Sequence, residues 1–201
     1  MPYSDIIDNR NVKLKDEINA LLSSSDEARF AVGYLYLSGF YQIAERLGEL
    51  KEVKILTGNT LQKETIEELA QSLASEEELK DTVESERIQR KSERERIRDG
   101  VAEAITRNLQ ALPHTADRER NIKRLSEFIK AGRVKIKVYT RHPLHAKAYL
   151  FKYTKDTAEA TRSEGIGIIG SSNLTISGFH YNTELNTYVR GQNNYAELNR
   201  W

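Results

Sequence analysis

The sequence predicts an α/β fold: a mixed β-sheet flanked by helices on both faces, with a charged helical insertion. Three observations carry that expectation. Short apolar runs rich in β-branched and aromatic residues recur in both halves of the chain, as strands require. Stretches with apolar residues at helical spacing accompany them. Between the two groups, residues 61–131 lack strand signals and are strongly charged.

Residues 5–22 carry Ile6, Ile7, Leu14, Ile18, Leu21 and Leu22, a loose helical stripe. Residues 29–37, RFAVGYLYL, are apolar on both faces and read as a buried strand. Ser38-Gly39 ends it, and a short helix is expected up to Gly48. EVKILT, 52–57, is a second strand, stopped by Gly58-Asn59. Residues 82–109 are helical by composition, with a first half that projects into solvent. In 133–139, Val134, Ile136 and Val138 alternate with Arg133, Lys135 and Lys137, the pattern of a half-buried strand. Further strands are expected at 146–152, 165–170 and 183–189, and a last helix from about Asn193. The 201 residues suffice for one sizeable core. They read as a single domain over 1–201, with the insertion at about 61–131. The stop at Trp201 inside an amphipathic pattern suggests the N-terminal fragment of a longer protein.

Composition excludes several classes. No apolar run is long enough to cross a bilayer, and the N-terminus has no basic region followed by an apolar stretch, so neither a membrane span nor a signal peptide is expected. There are no cysteines, which removes disulfides and thiolate metal sites and is compatible with the cytoplasm. Net charge is only +1, yet residues 64–86 hold nine acidic side chains against Lys80, and residues 117–147 hold ten basic ones against three acidic. Such runs are often plain solvated faces; a basic one also suits a polyanion.

His145-Ala146-Lys147 on a strand sends its imidazole and ammonium to the same face. That pairing suits a phosphodiester, since imidazole can attack phosphorus or move protons near neutral pH and lysine neutralises the oxygens. Gly170-Ser171-Ser172-Asn173 follows a glycine-punctuated strand with donors for an oxyanion. Glu184 lies eleven residues further on, flanked by Asn182 and Asn186, and in a strand all three share a face. Each piece alone is weak; their order and spacing are far more specific.

HAKAYLF, IIGSSNLTISGF and NTELN resemble the HxK…GSxN…E pattern of the phospholipase D superfamily, above all its nuclease-like branch and the phospholipase D-like domains of Snf-type helicases. The resemblance implies a phosphodiesterase domain acting on or binding nucleic acid, as a module of a larger helicase or nuclease. It implies that His145 attacks phosphorus to form a phosphohistidine or protonates the leaving oxygen. Lys147 and Asn173 would bind the non-bridging oxygens, Ser171 would be the small hydroxyl residue, and Glu184 would orient a histidine. No metal or organic cofactor is implied. One position departs: the family's aspartate, five residues after the lysine, is Lys152 here.

The family's chemistry needs two histidines at one phosphate. His114, His142 and His180 have no lysine two residues on, so the second histidine is expected from a homodimer partner. Arg133, Lys135, Lys137 and Arg141 are the candidate nucleic-acid contacts, with DNA favoured over RNA and any motor outside this chain. The alternative is an inactive module that grips nucleic acid without cutting it. A lipid phosphodiesterase ranks last, for want of an amphipathic membrane-binding segment.

Overall fold

The computed structural model describes residues 4–33, 35, 37–58, 83–86, 116–139 and 141–201. Its strands are β1 (Ile6–Ile7), β2 (Ser25–Val32), β3 (Glu52–Gly58), β4 (Val83–Glu86), β5 (Val134–Tyr139), β6 (Lys147–Tyr153), β7 (Gly165–Gly170) and β8 (Asn186–Val189). Its helices are α1 (Leu14–Leu22), α2 (Leu37–Tyr41), α3 (Ala44–Leu47), α4 (Ala116–Lys130), α5 (Lys155–Thr161) and α6 (Gln192–Arg200), with a π-helical turn at Ser177–Tyr181. The described strands form one mixed sheet of eight in the order β1-β8-β7-β6-β2-β3-β5-β4. β2 lies at its heart, parallel to β3 with Phe30 opposite Ile55, and antiparallel to β6 with Phe30 opposite Tyr149.

Strand alternation divides the sheet into two faces. On one, Phe30, Val32, Ile55, Tyr149, Phe151 and Ile168 build the main core with Ile18 of α1, Ala44 and Leu47 of α3, Leu125 and Phe128 of α4, and Phe179 of the π-helical turn. Phe30 packs edge-on against both Tyr149 and Phe151, at 5.3 and 5.8 Å between ring centroids. On the other face Ala31, Ala148 and Leu150 meet Tyr195 and Leu198 of α6. That helix can lie so close because β7 is glycine-punctuated: a Cβ on Gly165 would stand 2.5 Å from the Tyr195 ring. α6 packs on β6 and β7, and Lys54, Leu56, Lys135 and Lys137 on β3 and β5 line a groove beside it.

Several expected boundaries moved for identifiable reasons. The helix expected over 5–22 begins only at Leu14. Asp8 accepts the N–H groups of Arg10 and Asn11 at 2.9 Å, and Asn9 adopts φ 58° while its amide donates to Gly178 O at 2.7 Å. An Asx turn thus competes with the helix and leaves Ile6 and Ile7 to pair with β8. Three backbone hydrogen bonds also hold the Asp8 carboxyl down at about 2. The strand expected over 29–37 stops at Val32, and α2 already includes Ser38 and Gly39. Inside the stretch expected to be purely helical, Val83–Glu86 pairs parallel with β5. A four-residue edge strand held on one side leaves almost no trace in a charged sequence. α4 lies in the same stretch and is helical as expected. The rest of the insertion, including nearly all of the helix expected over 82–109, falls outside the described residues. α5, with Thr154 accepting from Thr157 N, was not foreseen.

Candidate functional site

Antiparallel pairing brings distant segments to one end of the sheet. β2 ends at Val32, opposite Lys147, the first residue of β6; β7, paired to β6, ends there at Gly170. Just past β2 comes Gly33. A Cβ at that position would lie 3.0 Å from Leu144 O, 3.5 Å from Asn173 Oδ1 and 3.6 Å from Lys147 Nζ. Lys147 and Asn173 therefore flank a single point, which only a residue without a side chain leaves open. An ammonium and an amide about one point suit two oxygens of a phosphate, since the amide can turn its NH₂ group to the same place.

His145 lies ahead of β6, in the segment 143–146 that belongs to no strand, and is exposed; the expectation that His145 and Lys147 share a strand face is corrected, because β6 begins only at Lys147. Lys147 Nζ donates to His145 O at 2.9 Å and sits 3.3 Å from His145 Nδ1. An ammonium has only donors, so Nδ1 is the acceptor, and a neutral ring then carries its proton on Nε2.

Glu184 is not on a strand: β8 starts two residues later, at Asn186. The expectation that Asn182, Glu184 and Asn186 share a strand face is thereby corrected. The backbone between the π-helical turn and β8 is held by Asn9 and by the 171–172 pair, so it cannot join the ladder earlier. Ser171 Oγ donates to Glu184 Oε2, and Asn182 Nδ2 donates to Oε1 at 3.1 Å. Ser171 and Leu185 exchange hydrogen bonds, with Leu185 N donating to Ser171 Oγ at 3.0 Å and Ser171 N to Leu185 O at 3.1 Å. Asn186 instead turns inward, only 1% exposed, and binds Ser172 through both ends of its amide, at 2.9 and 3.3 Å.

Beneath the GSSN segment, the fully buried Tyr149 hydroxyl donates to Ser172 O at 2.8 Å. Burial first, and the Glu184 charge second, push that phenol far above its ordinary range, so it remains a donor at every working pH. Tyr149 and Asn186 thus clamp Ser172 from two sides and fix Ser171 and Asn173 on either side of it. Neither clamp nor Gly33 was identified from sequence as part of the site. The only available signal was a glycine at the end of an apolar strand and a tyrosine two residues after the lysine.

The structure gathers His145 with Lys147, Lys147 with Asn173, and Ser171 with Glu184. A groove of about 700 Å³ opens beside His145 and Lys147, lined also by Gly170, Leu185, Asn186 and Trp201; Ser171, Asn173 and Glu184 do not line it. The basic candidates lie elsewhere. Arg133 donates to Gly48 O at 2.7 Å and stacks over Phe128 at 4.9 Å, which makes it a brace between α3, α4 and β5. Lys135 pairs with Glu52 at 2.8 Å, and Lys137 lines the groove beside α6. Arg141 is exposed on the loop that leads to His145. Lys152, at the departing family position, bonds Glu27 at 2.7 Å, five residues and roughly 16 Å along β6 from Lys147. It touches none of the site groups. Among the described residues no three His, Cys, Asp or Glu side chains are grouped to hold a metal ion, and no helix is long and apolar enough to cross a membrane.

A mixed sheet with an HxK strand start and a GSxN strand end converging on one point defines a phosphate-handling domain of the phospholipase D type. The family model for the phospholipase D-like domain of cardiolipin synthase matches residues 18–201. The chain belongs to that phospholipase D-like family, within a superfamily of phosphodiesterases and phosphotransferases. Among solved structures it is similar to polyphosphate kinase from Porphyromonas gingivalis, at 14% identity and a TM-score of 0.48. The match covers 97% of this chain and 24% of the kinase chain, so the chain spans about a quarter of that protein's length. No curated protein matches it in sequence.

Proposed function

We propose that this domain is a nucleic-acid phosphodiesterase, a module of a larger helicase or nuclease, in which two copies build each active site. The observation that carries the proposal is the Gly33 point, flanked by Lys147 Nζ and Asn173 Oδ1, with His145 beside the lysine. A phosphodiester seated there places its non-bridging oxygens on Lys147 and Asn173. Drawn to the phosphate, Lys147 releases Nδ1 of His145; the ring proton then passes through solvent from Nε2 to Nδ1, and the ring becomes free to attack through Nε2. Its lone pair forms a P–N bond while the P–O bond to the leaving group breaks. The leaving oxygen takes a proton from the imidazolium of the partner's His145. Water then attacks phosphorus and gives its proton to that same imidazole, the P–N bond breaks, and both histidines regain their starting states. The cationic charge that such a transition state needs comes from Lys147, and the neutral amide of Asn173 adds hydrogen bonds.

The test is a mixed dimer of wild-type and His145→Ala chains, assayed on a generic phosphodiester. One histidine per shared site gives near-zero turnover. Half the wild-type rate, as independent sites would give, refutes the shared site. A second assignment, a module that binds without cutting, is favoured by one feature: both carboxylate oxygens of Glu184 already hold Ser171 and Asn182. Binding without turnover by the wild-type dimer would select it.

A further inference from the structure

The stretch that matches the family model begins at residue 18, so residues 4–17 lie ahead of it. They are nevertheless built into the sheet beside the site. β1 pairs with β8, with Ile7 opposite Asn186 and fully buried in the main core. Tyr188 N donates to Asp5 O at 3.0 Å. The chain then turns through Asp8 and Asn9 into α1.

The two residues of that turn behave differently. Asp8 keeps its carboxylate within the turn, accepting from the N–H groups of Arg10, Asn11 and Val12. Asn9 is only 4% exposed, holds φ 58°, and uses both ends of its amide. Its Oδ1 accepts from Leu14 N at 2.9 Å and so caps α1, where Lys13 makes no side-chain cap. Its Nδ2 donates to Gly178 O at 2.7 Å and reaches Asn182 O at 3.5 Å. Capping α1 needs Oδ1 alone. The other end of the amide crosses 169 positions to a different part of the chain.

Gly178 and Asn182 belong to the π-helical turn and its exit. A single π-helical turn is rare and has no continuing helix to bond its carbonyls, so partners must come from elsewhere. One side of the turn abuts the phosphate segment: a Cβ on Gly178 would stand 2.5 Å from Asn173 O. Its exit carries Asn182, whose Nδ2 donates to Glu184 Oε1 at 3.1 Å, while Ser171 Oγ donates to Oε2. The loop that bears Glu184 is thus gripped at both ends by one short segment, with Asn9 at Asn182 and Ile7 opposite Asn186.

We propose that segment 5–9 is a strap on the phosphate site and that Asn9 is a positioning residue, acting through Gly178 and Asn182 to hold Glu184 against Ser171. Its kinetic consequence rests on the phosphodiesterase reading above; its structural consequence does not.

Two variants separate the cap from the strap. Asn9→Gly accepts φ 58° without strain and removes both bonds, whereas Asn9→Asp keeps an acceptor for Leu14 N and removes the donor to Gly178 O. Should Asn9→Gly fail to fold, Asn9→Asp carries the same test. Val53→Ala, fully buried near the start of β3 and away from the site, is the stability control. In the full chain, amide exchange of Leu185, whose N–H donates to Ser171 Oγ, is followed by NMR well below each variant's Tm. Exchange there should quicken about tenfold in both Asn9 variants and less than about twofold in Val53→Ala, because the opening is local. In turnover of bis(p-nitrophenyl) phosphate, both Asn9 variants should lose about tenfold in kcat with KM changed less than about twofold, since Lys147 is untouched and Ser172 still fixes Asn173. In a Glu184→Gln background, adding Asn9→Gly should lower kcat by less than about twofold more, because both changes act on one interaction. Unchanged Leu185 exchange in both Asn9 variants, kcat losses no larger than that of Val53→Ala, or full additivity with Glu184→Gln would overturn the proposal. Absence of turnover in the wild-type chain would instead defeat the chemistry of the previous section, and Leu185 exchange, which needs no catalysis, would then decide the strap by itself.

Discussion

Removing one oxygen atom tests how the site is held. Tyr149→Phe keeps the ring, its packing on Phe30 and its place on β6, and deletes only the hydroxyl that donates to Ser172 O at 2.8 Å. Because Tyr149 is fully buried, no water replaces the lost donor. A buried carbonyl deprived of its partner costs about 1–3 kcal/mol. For a domain near 200 residues, each kcal/mol moves Tm by about 2–4 °C, so a fall of about 3–10 °C is expected in thermal unfolding followed by circular dichroism. Function should suffer more than stability alone explains, because Ser172 sits between Ser171 and Asn173. A drop of about tenfold in kcat, measured well below the variant's own Tm, would correspond to about 1.4 kcal/mol of lost transition-state stabilisation. A variant with wild-type Tm within a degree and wild-type kcat would refute the assignment of Tyr149 as the clamp of the GSSN segment.

Gly33→Ala should still fold, with a modest loss of stability, since the added methyl meets the Leu144 carbonyl at 3.0 Å, tighter than an ordinary contact, and its other neighbours at 3.5 and 3.6 Å. It should nevertheless weaken inorganic phosphate binding at least fivefold by calorimetry, because the methyl occupies the point between Lys147 and Asn173. Glu52, whose carboxyl Lys135 and then Lys54 hold down at about 2, is an acid-stability group. Its folded-state value lies below the unfolded one, so its contribution is full above about pH 4.5 and lost as pH falls towards 2. Glu52→Gln should therefore flatten the decline of urea midpoints across that window and leave the decline above pH 5 unchanged. Turnover of a generic diester should survive excess chelator, because Lys147 and Asn173 carry the charge stabilisation; abolition by chelator with rescue by magnesium would contradict that role.

The family and most of the elements could be read from short spans of the chain. HAK, GSSN and NTELN are local patterns, and the alternation of valine and isoleucine with lysine in 134–138 fixes a strand and its faces without reference to anything else. The helix expected over 5–22 was legible in its last half, α1, where Ile18 and Leu22 keep helical spacing, and not in its first, where Asp8 and Asn9 hold a turn and Asn9 bonds a residue 169 positions away. Sequence spacing could propose that Lys147 and Asn173 act together. Only the pairing of β2 with β6 and of β6 with β7 brought them to either side of Gly33. The basic run was visible as charge, but its direction was not. Strand alternation sends Lys135 and Lys137 to the face opposite the main core, and Arg133 is spent on Gly48 and Phe128. Sequence by itself thus determined what lies within one strand or turn, because side-chain periodicity and hydrogen bonding of near neighbours act over a few residues. Tertiary structure alone decided which glycine leaves room for a phosphate, which hydroxyl holds the loop and which lysines share a surface, because these depend on the register of strands far apart in the chain.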